Sequence, residues 1–324
     1  MLVRIVKDWD KPDIMRQTPG FSKNWKGITF TTDNVDSCDL LVALNRTKCD
    51  LKIRTREAWL FSQESPIDLY KWHTKAFSDF DRVFTFWDSS ISANIINTQT
   101  ALPWHIGKNY DELKNISIES CKNKADEISW VTSSASDKEG HRLRLKFLDY
   151  LRNVGFKFSL YGKGFNPIAD KYDAIFPFKY SIAIENYSCA DYWTEKIADC
   201  YLSWSAPIYF GATNILEYFP NNSLILIDPN EPKKALDTIN RAREESFWEK
   251  NISEIEIARN LILEKYQFFP WICKLISDYN LSEKRYKKMF IKKNITLEES
   301  KNSPDIKTRL INKIKKIVNL KKEN

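Results

Sequence analysis

With 324 residues, of which 43% are hydrophobic and 14% aromatic, the chain carries enough core material for two packed domains and is not a disordered polypeptide. A net charge of +7 favours an anionic partner, and by itself does not choose between a sugar nucleotide, a membrane surface and a nucleic acid. Six cysteines without a C-x-x-C pair, beside only three histidines, exclude a metal finger and read as reduced thiols.

No apolar run approaches the roughly 18 residues that cross a membrane. The chain begins on Leu2-Val3-Arg4-Ile5-Val6, a strand pattern rather than a signal-peptide core, so the expected location is cytoplasmic. N-x-[ST] triplets at Asn45, Asn115 and Asn186 are expected to be chance. Further strands are predicted at Ile28 to Phe30, Leu40 to Leu44 and Ala58 to Phe61, which makes residues 1–126 one α/β unit. After the fourth strand comes Gln63-Glu64-Ser65-Pro66. Pro66 imposes an extended or turn geometry on Ser65 and leaves Glu64 at a strand exit, where open α/β sheets carry their chemistry. The polar stretch 109–126 shows no apolar period, and the interdomain linker is expected near its end.

A second α/β unit, residues 127–280, begins with a strand over Ile128 to Val131. A helix from about Gly140 follows, carrying Leu143, Phe147, Leu148 and Leu151 on one face and Arg144 near its start. Ser181 to Ile184 reads as a buried strand that meets Glu185 and Asn186 at its carboxyl end. Thr194 then caps a helix through Ile197, Cys200, Tyr201 and Trp204, whose first turn holds Glu195 and Lys196. Ala206-Pro207 is expected to halt that helix, and Ile208 to Phe210 and Leu224 to Ile227 to form strands. A strand, a polar cluster and a helix N-terminus suit an anionic ligand such as a diphosphate, because free backbone N–H groups and the helix dipole point at it. Beyond Asp228 the pattern is helical over Pro232 to Ala242 and Ser253 to Tyr266, with Ser253 as N-cap of the second. Residues 281–324 are expected to form a basic helical tail, in which an amphipathic helix opening at Ser303-Pro304-Asp305 suits an anionic membrane surface.

Three blocks in order, Ser181-Ile182-Ala183-Ile184-Glu185-Asn186, Asp191-Tyr192-Trp193-Thr194-Glu195-Lys196-Ile197 and Ala206-Pro207-Ile208-Tyr209-Phe210-Gly211, carry a resemblance. They resemble the F-x-x-A-F-E-N, D-Y-x-T-E-K-[LI] and A-x-P-[VI]-x-x-G signature of the α1,3/4-fucosyltransferases (glycosyltransferase family 10) of the bacterial type. Glu64-Ser65-Pro66 followed by Phe80 to Phe86, the Arg144-Leu145-Lys146-Phe147 segment and the turn Tyr161-Gly162-Lys163-Gly164 are similar to further family segments. The resemblance covers about residues 36–230.

It implies two facing Rossmann-like domains of the GT-B type, an acceptor-side domain and a nucleotide-sugar domain. The implied activity is inverting transfer of L-fucose from GDP-β-L-fucose to a saccharide hydroxyl, in surface polysaccharide or lipopolysaccharide synthesis. Glu64 would be the general base, and Arg144 and Lys196 would neutralise the diphosphate. Glu195 would accept hydrogen bonds from ribose or fucose hydroxyls, Tyr192 would pack near the nucleotide, and Glu185 and Asn186 would shape the pocket. The Asp-x-Asp triplets Asp8-Trp9-Asp10 and Asp79-Phe80-Asp81 fall outside the donor unit, so no metal and no cofactor beyond the donor is expected. Ile184 and Trp193 depart from the signature, which keeps a transferase of the same fold with another nucleotide-sugar as an alternative. From another class, basic and aromatic residues also fit a nucleic-acid-binding protein, against which cations outside the tail are interspersed with acids.

Overall fold

The apolar pattern at Leu2 is realised as β1 (Leu2–Lys7), and the first half of the chain is gathered around it. The computed structural model describes residues 1–101 and 103–296. Strands β2 (Asn24–Trp25), β3 (Ile28–Thr31), β4 (Leu40–Leu44), β5 (Leu51–Thr55), β6 (Glu57–Phe61), β7 (Arg82–Thr85) and β8 (Ile95–Asn97) follow. The first sheet runs β2-β3-β1-β4-β6-β7-β8 and is parallel except for the β2–β3 pair. Strands β4 and β6 are buried at every position. Their apolar runs, Leu40 to Leu44 and Ala58 to Phe61, are what a parallel strand covered on both faces requires.

Helix α1 (Tyr110–Asn115) lies in the polar stretch before the second unit. Asn109 and Glu112 close a reciprocal capping box around its first turn, which explains why a helix forms without an apolar period. Next come β9 (Ala125–Val131), α2 (Glu139–Asn153), β10 (Ser159–Tyr161), α3 (Lys171–Ile175), β11 (Phe178–Ile184), α4 (Glu195–Leu202), β12 (Ala206–Phe210) and β13 (Ile225–Leu226). They build an all-parallel sheet, β10-β9-β11-β12-β13. One apolar cluster spans both sheets, from Trp59, Phe61 and Phe84 to Trp130, Tyr180 and Ile208.

Helices α5 (Pro232–Glu244), α6 (Phe247–Lys250) and α7 (Ile252–Leu261) precede a π-helical turn over Ile262–Tyr266, and α8 (Phe268–Asp278) then carries the chain back to the first sheet. There Phe269 meets Phe30 of β3 edge-on, with ring centroids 4.8 Å apart. Strand β14 (Lys287–Ile291) pairs antiparallel with β5, Ile291 opposite Leu51.

Three local expectations are corrected. Residues 287–291 form a strand, not the start of a helical tail, because Met289 and Ile291 cover the Leu51 and Ile53 face of β5. The predicted tail helix from Ser303 lies outside the described residues. Helix α4 ends at Leu202, and Trp204 turns the chain with φ of +56°, so Pro207 lies inside β12 instead of halting a helix. It is accommodated one residue before the β13 pairing begins at Ile208. Asn251, not Ser253, stands at the N-cap of α7. Among the described residues no helix is long and apolar enough to cross a membrane, and all six cysteines are free thiols.

Candidate active site

Parallel strands present ligands at their carboxyl ends, and here the ends of both sheets open on one cleft. A cavity of about 760 Å³ lies between them, lined by Ile67 and Leu69 from the first unit and by Lys138, Arg142, Glu185 and Asn186 from the second.

At the end of β11, Glu185 is fully buried and its carboxylate is saturated with donors. It accepts from the Thr194 N–H and hydroxyl, both at 2.8 Å, and from Lys196 Nζ at 2.9 Å. Thr194 also caps α4 by accepting from the Lys196 N–H, as its sequence position predicts. Lys196 Nζ reaches Glu195 at 3.5 Å as well, so one ammonium bridges two carboxylates. Burial raises Glu185 above the ordinary carboxylate value. Burial also opposes the charge on Glu195, but Lys196, His105 and Lys171 outweigh it and hold that carboxyl well below its usual range. For Lys196 the desolvation is likewise overcome, by Glu185 and Glu195, and the ammonium is held above its ordinary value.

Arg144 lies on the buried face of α2 with His141, Phe147, Leu148 and Leu151, whereas Arg142 and Lys146 beside it are exposed. Burial lowers its pKa, partly offset by Glu185, Tyr192 and Glu195, which places the guanidinium within electrostatic reach of all three. Two polar atoms here are buried with no hydrogen-bond partner, Arg144 Nε and Asn186 Oδ1. Asn186 lines the cavity, and an unsatisfied buried atom there is what a ligand would complete. Tyr192, also buried, packs edge-on against Phe86 from the first unit with centroids 4.7 Å apart.

Glu64 enters from the first sheet. The residue before it is pinned, since the Gln63 N–H donates to Asn45 Oδ1 at 3.0 Å and its side-chain amide to the Thr100 carbonyl at 2.9 Å. Burial raises the Glu64 pKa, against the lowering effect of Lys138 and of a hydrogen bond from Tyr70; Asp8 and Lys196 also act on it. The predicted site residues Glu64, Arg144, Glu185, Asn186, Tyr192, Glu195 and Lys196 are thus brought to one place from two sheets. Lys196, expected to neutralise the diphosphate, is tied to the Glu185 and Glu195 carboxylates.

Sequence reasoning missed the ring around them. Lys171 Nζ stands 3.2 Å from Asp199 and 3.7 Å from Glu195, and Asp199 Oδ1 accepts from the His105 and Ile106 N–H groups at 2.8 and 3.2 Å. The available signal was spacing, because Asp199 follows Glu195 by one helical turn. Tyr70 and Lys138 carried no such signal. Of the Asp-x-Asp residues, Asp79 and Asp81 fasten the returning chain through the Lys292 N–H and Lys287, while Asp8 sits beside Asn45 and Arg46.

Residues 121–290, more than half of the chain, match the family model described as Glycosyltransferase family 10 (fucosyltransferase) C-term. The chain belongs to glycosyltransferase family 10. Among its relatives, an 81-residue stretch is 37% identical to GDP-fucose protein O-fucosyltransferase 3 of Danio rerio, covering 25% of this chain and 18% of that protein. A longer match, 26% identical over 239 residues, joins it to the alpha-(1,4)-fucosyltransferase of Arabidopsis thaliana, covering 65% of this chain and 58% of that one. The matches to these two relatives therefore span less than two thirds of each relative's length. A solved alpha-glucosyltransferase in complex with UDP-glucose and DNA containing an abasic site shares the fold, with a TM-score of 0.54 at 9% identity over 87% of this chain and 99% of that chain. Two facing parallel sheets of the GT-B type are the architecture of this family 10 member.

Proposed function

We propose that this family 10 protein transfers L-fucose from GDP-β-L-fucose to a hydroxyl of a saccharide, with inversion and without a metal ion. The observation that carries the reading is that Glu64, at the exit of β6 in the first sheet, lies within electrostatic reach of Lys196, whose ammonium bridges Glu185 and Glu195 in the second unit. In the reaction the acceptor oxygen attacks the anomeric carbon as the bond from that carbon to the diphosphate oxygen breaks. The electron pair leaves with GDP, and the acceptor proton passes to Glu64. Arg144 supplies charge to the departing diphosphate, and the amino end of α4 adds its dipole. Lys196 orders Glu195, which is held ionised as an acceptor for sugar or ribose hydroxyls. Tyr192 closes one wall of the nucleotide site and Asn186 offers its open acceptor.

Support for the donor comes from the family and from the relatives, whose names specify GDP-fucose or fucose transfer. Those names divide over the acceptor, a protein hydroxyl in one and an α1,4 linkage in another, so an α1,3 linkage in surface polysaccharide or lipopolysaccharide is the finer part of the proposal. The test is GDP release measured with GDP-fucose against GDP-mannose, UDP-glucose and UDP-N-acetylglucosamine, over oligosaccharide and peptide acceptors, with the anomeric configuration of the product read by NMR. Turnover confined to GDP-fucose and an oligosaccharide, giving an α product, supports the reading. Turnover only with another donor overturns it.

A further inference from the structure

We infer that Lys171 and Asp199 are positioning residues that fix the rotation of the Glu195 carboxylate and so set the affinity for the donor, an inference that rests on the proposed role of Glu195 toward sugar or ribose hydroxyls. Lys171 opens α3, and Asp199 lies one turn along α4 from Glu195, so the two helices meet at this point. Lys171 Nζ stands 3.2 Å from Asp199 Oδ2 and 3.7 Å from Glu195 Oε1. Lys196 Nζ reaches that same Oε1 at 3.5 Å, and His105 Nδ1 lies 3.8 Å from it. With Lys196 also 2.9 Å from Glu185, the charges alternate in one line through Glu185, Lys196, Glu195, Lys171 and Asp199.

Both ends of this line are anchored on backbone. Glu185 accepts from the Thr194 N–H at 2.8 Å, and Asp199 Oδ1 from the His105 and Ile106 N–H groups at 2.8 and 3.2 Å. Next to Lys171, Asp170 caps α3 and accepts from the Gly107 N–H at 2.7 Å, which ties the segment 105–107 to the same place. A carboxylate paired with one flexible ammonium turns freely. Three nitrogens converging on Oε1 from α3, α4 and the segment 105–107 remove that freedom and make Oε2 the oxygen that meets a donor hydroxyl. The ordering is then complete before the donor arrives, so binding does not have to supply it. Asp199 is itself only 1% exposed, so it cannot touch a ligand and acts through Lys171 and the backbone it holds.

The test measures KM and kcat for GDP-fucose in the full chain, with Tm as the check on folding. Lys171→Met and Asp199→Asn are each expected to raise KM by about 3- to 10-fold, with a smaller change in kcat. Asn at 199 keeps an oxygen for the two backbone N–H groups and loses only the charge that holds Lys171. Lys171→Arg keeps its charge and should recover most of the loss. In a Glu195→Gln background the carboxylate charge is already gone, and the same substitutions should raise KM by less than about 2-fold further. An equal rise in both backgrounds overturns the inference, since Lys171 would then touch the donor itself or merely support the fold. An unchanged KM in both Lys171→Met and Asp199→Asn also overturns it, while leaving the role of Glu195 standing if Glu195→Gln raises KM. If Glu195→Gln alone leaves KM unchanged, the proposed role of Glu195 fails, and the inference with it.

Discussion

Glu185 and Lys196 are the pair on which the donor half of the site turns. Lys196→Ala is expected to weaken GDP binding by about 1.5 to 3 kcal/mol, because the ammonium that orders Glu195 is lost. It also strands Glu185, a buried carboxylate whose cation has been removed, at a cost to stability of about 3 to 5 kcal/mol. Adding Glu185→Gln to Lys196→Ala removes the stranded charge, so the double variant should melt above Lys196→Ala alone. A melt at or below that of the single variant would show that the pair is not coupled in this way. Glu64 makes the opposite pH prediction from an ordinary carboxylate. Its raised pKa means that the folded protein holds this proton more tightly than the unfolded chain does. Stability contributed by the group is therefore present at low pH and lost as pH rises from the usual glutamate value through the raised one. Turnover runs the other way, increasing with pH over the same window as the base ionises. A fluorescence melt and an initial-rate profile on the same buffers should show the two trends crossing.

Among the elements, α2 and the loop after β11 are locked by close approach. A Cβ on Gly140 would collide with the Asn186 carbonyl, which is backbone and cannot swing away. Gly140→Ala should cost about 1 to 3 kcal/mol in denaturant unfolding and should weaken GDP binding, because displacing α2 carries Arg144 with it. Unchanged stability would mean that the helix docks less tightly than described. Gly211 has a similar relation to the Glu185 side chain. Much of this level was legible in the sequence. The apolar runs of β4 and β6 and the Thr194 cap of α4 are local signals, and the structure realises them. What failed depended on distant partners. Lys287 to Ile291 reads as basic and helical until β5 offers it an edge, and Pro207 reads as a breaker until the neighbouring strand is seen to begin one residue later. Tyr70 and Lys138 are 68 positions apart and meet only because the two sheets face each other.

At the scale of the whole molecule, the returning chain staples the two units. Arg56 donates to the Ser282 carbonyl at 2.7 Å and to the Lys284 carbonyl at 2.6 Å, and the Tyr286 hydroxyl donates to Asp39. Ending the chain after residue 296 is expected to leave folding and soluble-acceptor turnover largely intact. Ending it after residue 286 removes β14 and uncovers Leu51 and Ile53, which should lower Tm and promote aggregation. If the segment beyond 296 is what binds an anionic membrane surface, the 296 truncation should also lose binding to anionic vesicles at low salt; equal binding by both forms would place the contact elsewhere. Turnover should survive excess chelator, and its abolition with rescue by manganese would contradict the metal-free proposal. The central claim is that fucosyl transfer takes place across the cleft, with the base on one sheet and the donor site on the other. Its most direct test is steady-state turnover of GDP-fucose by Glu64→Gln, measured beside calorimetric GDP affinity. A fall in kcat of roughly 10² to 10⁴ with GDP affinity near wild type is the predicted result, and near-normal kcat would contradict the account.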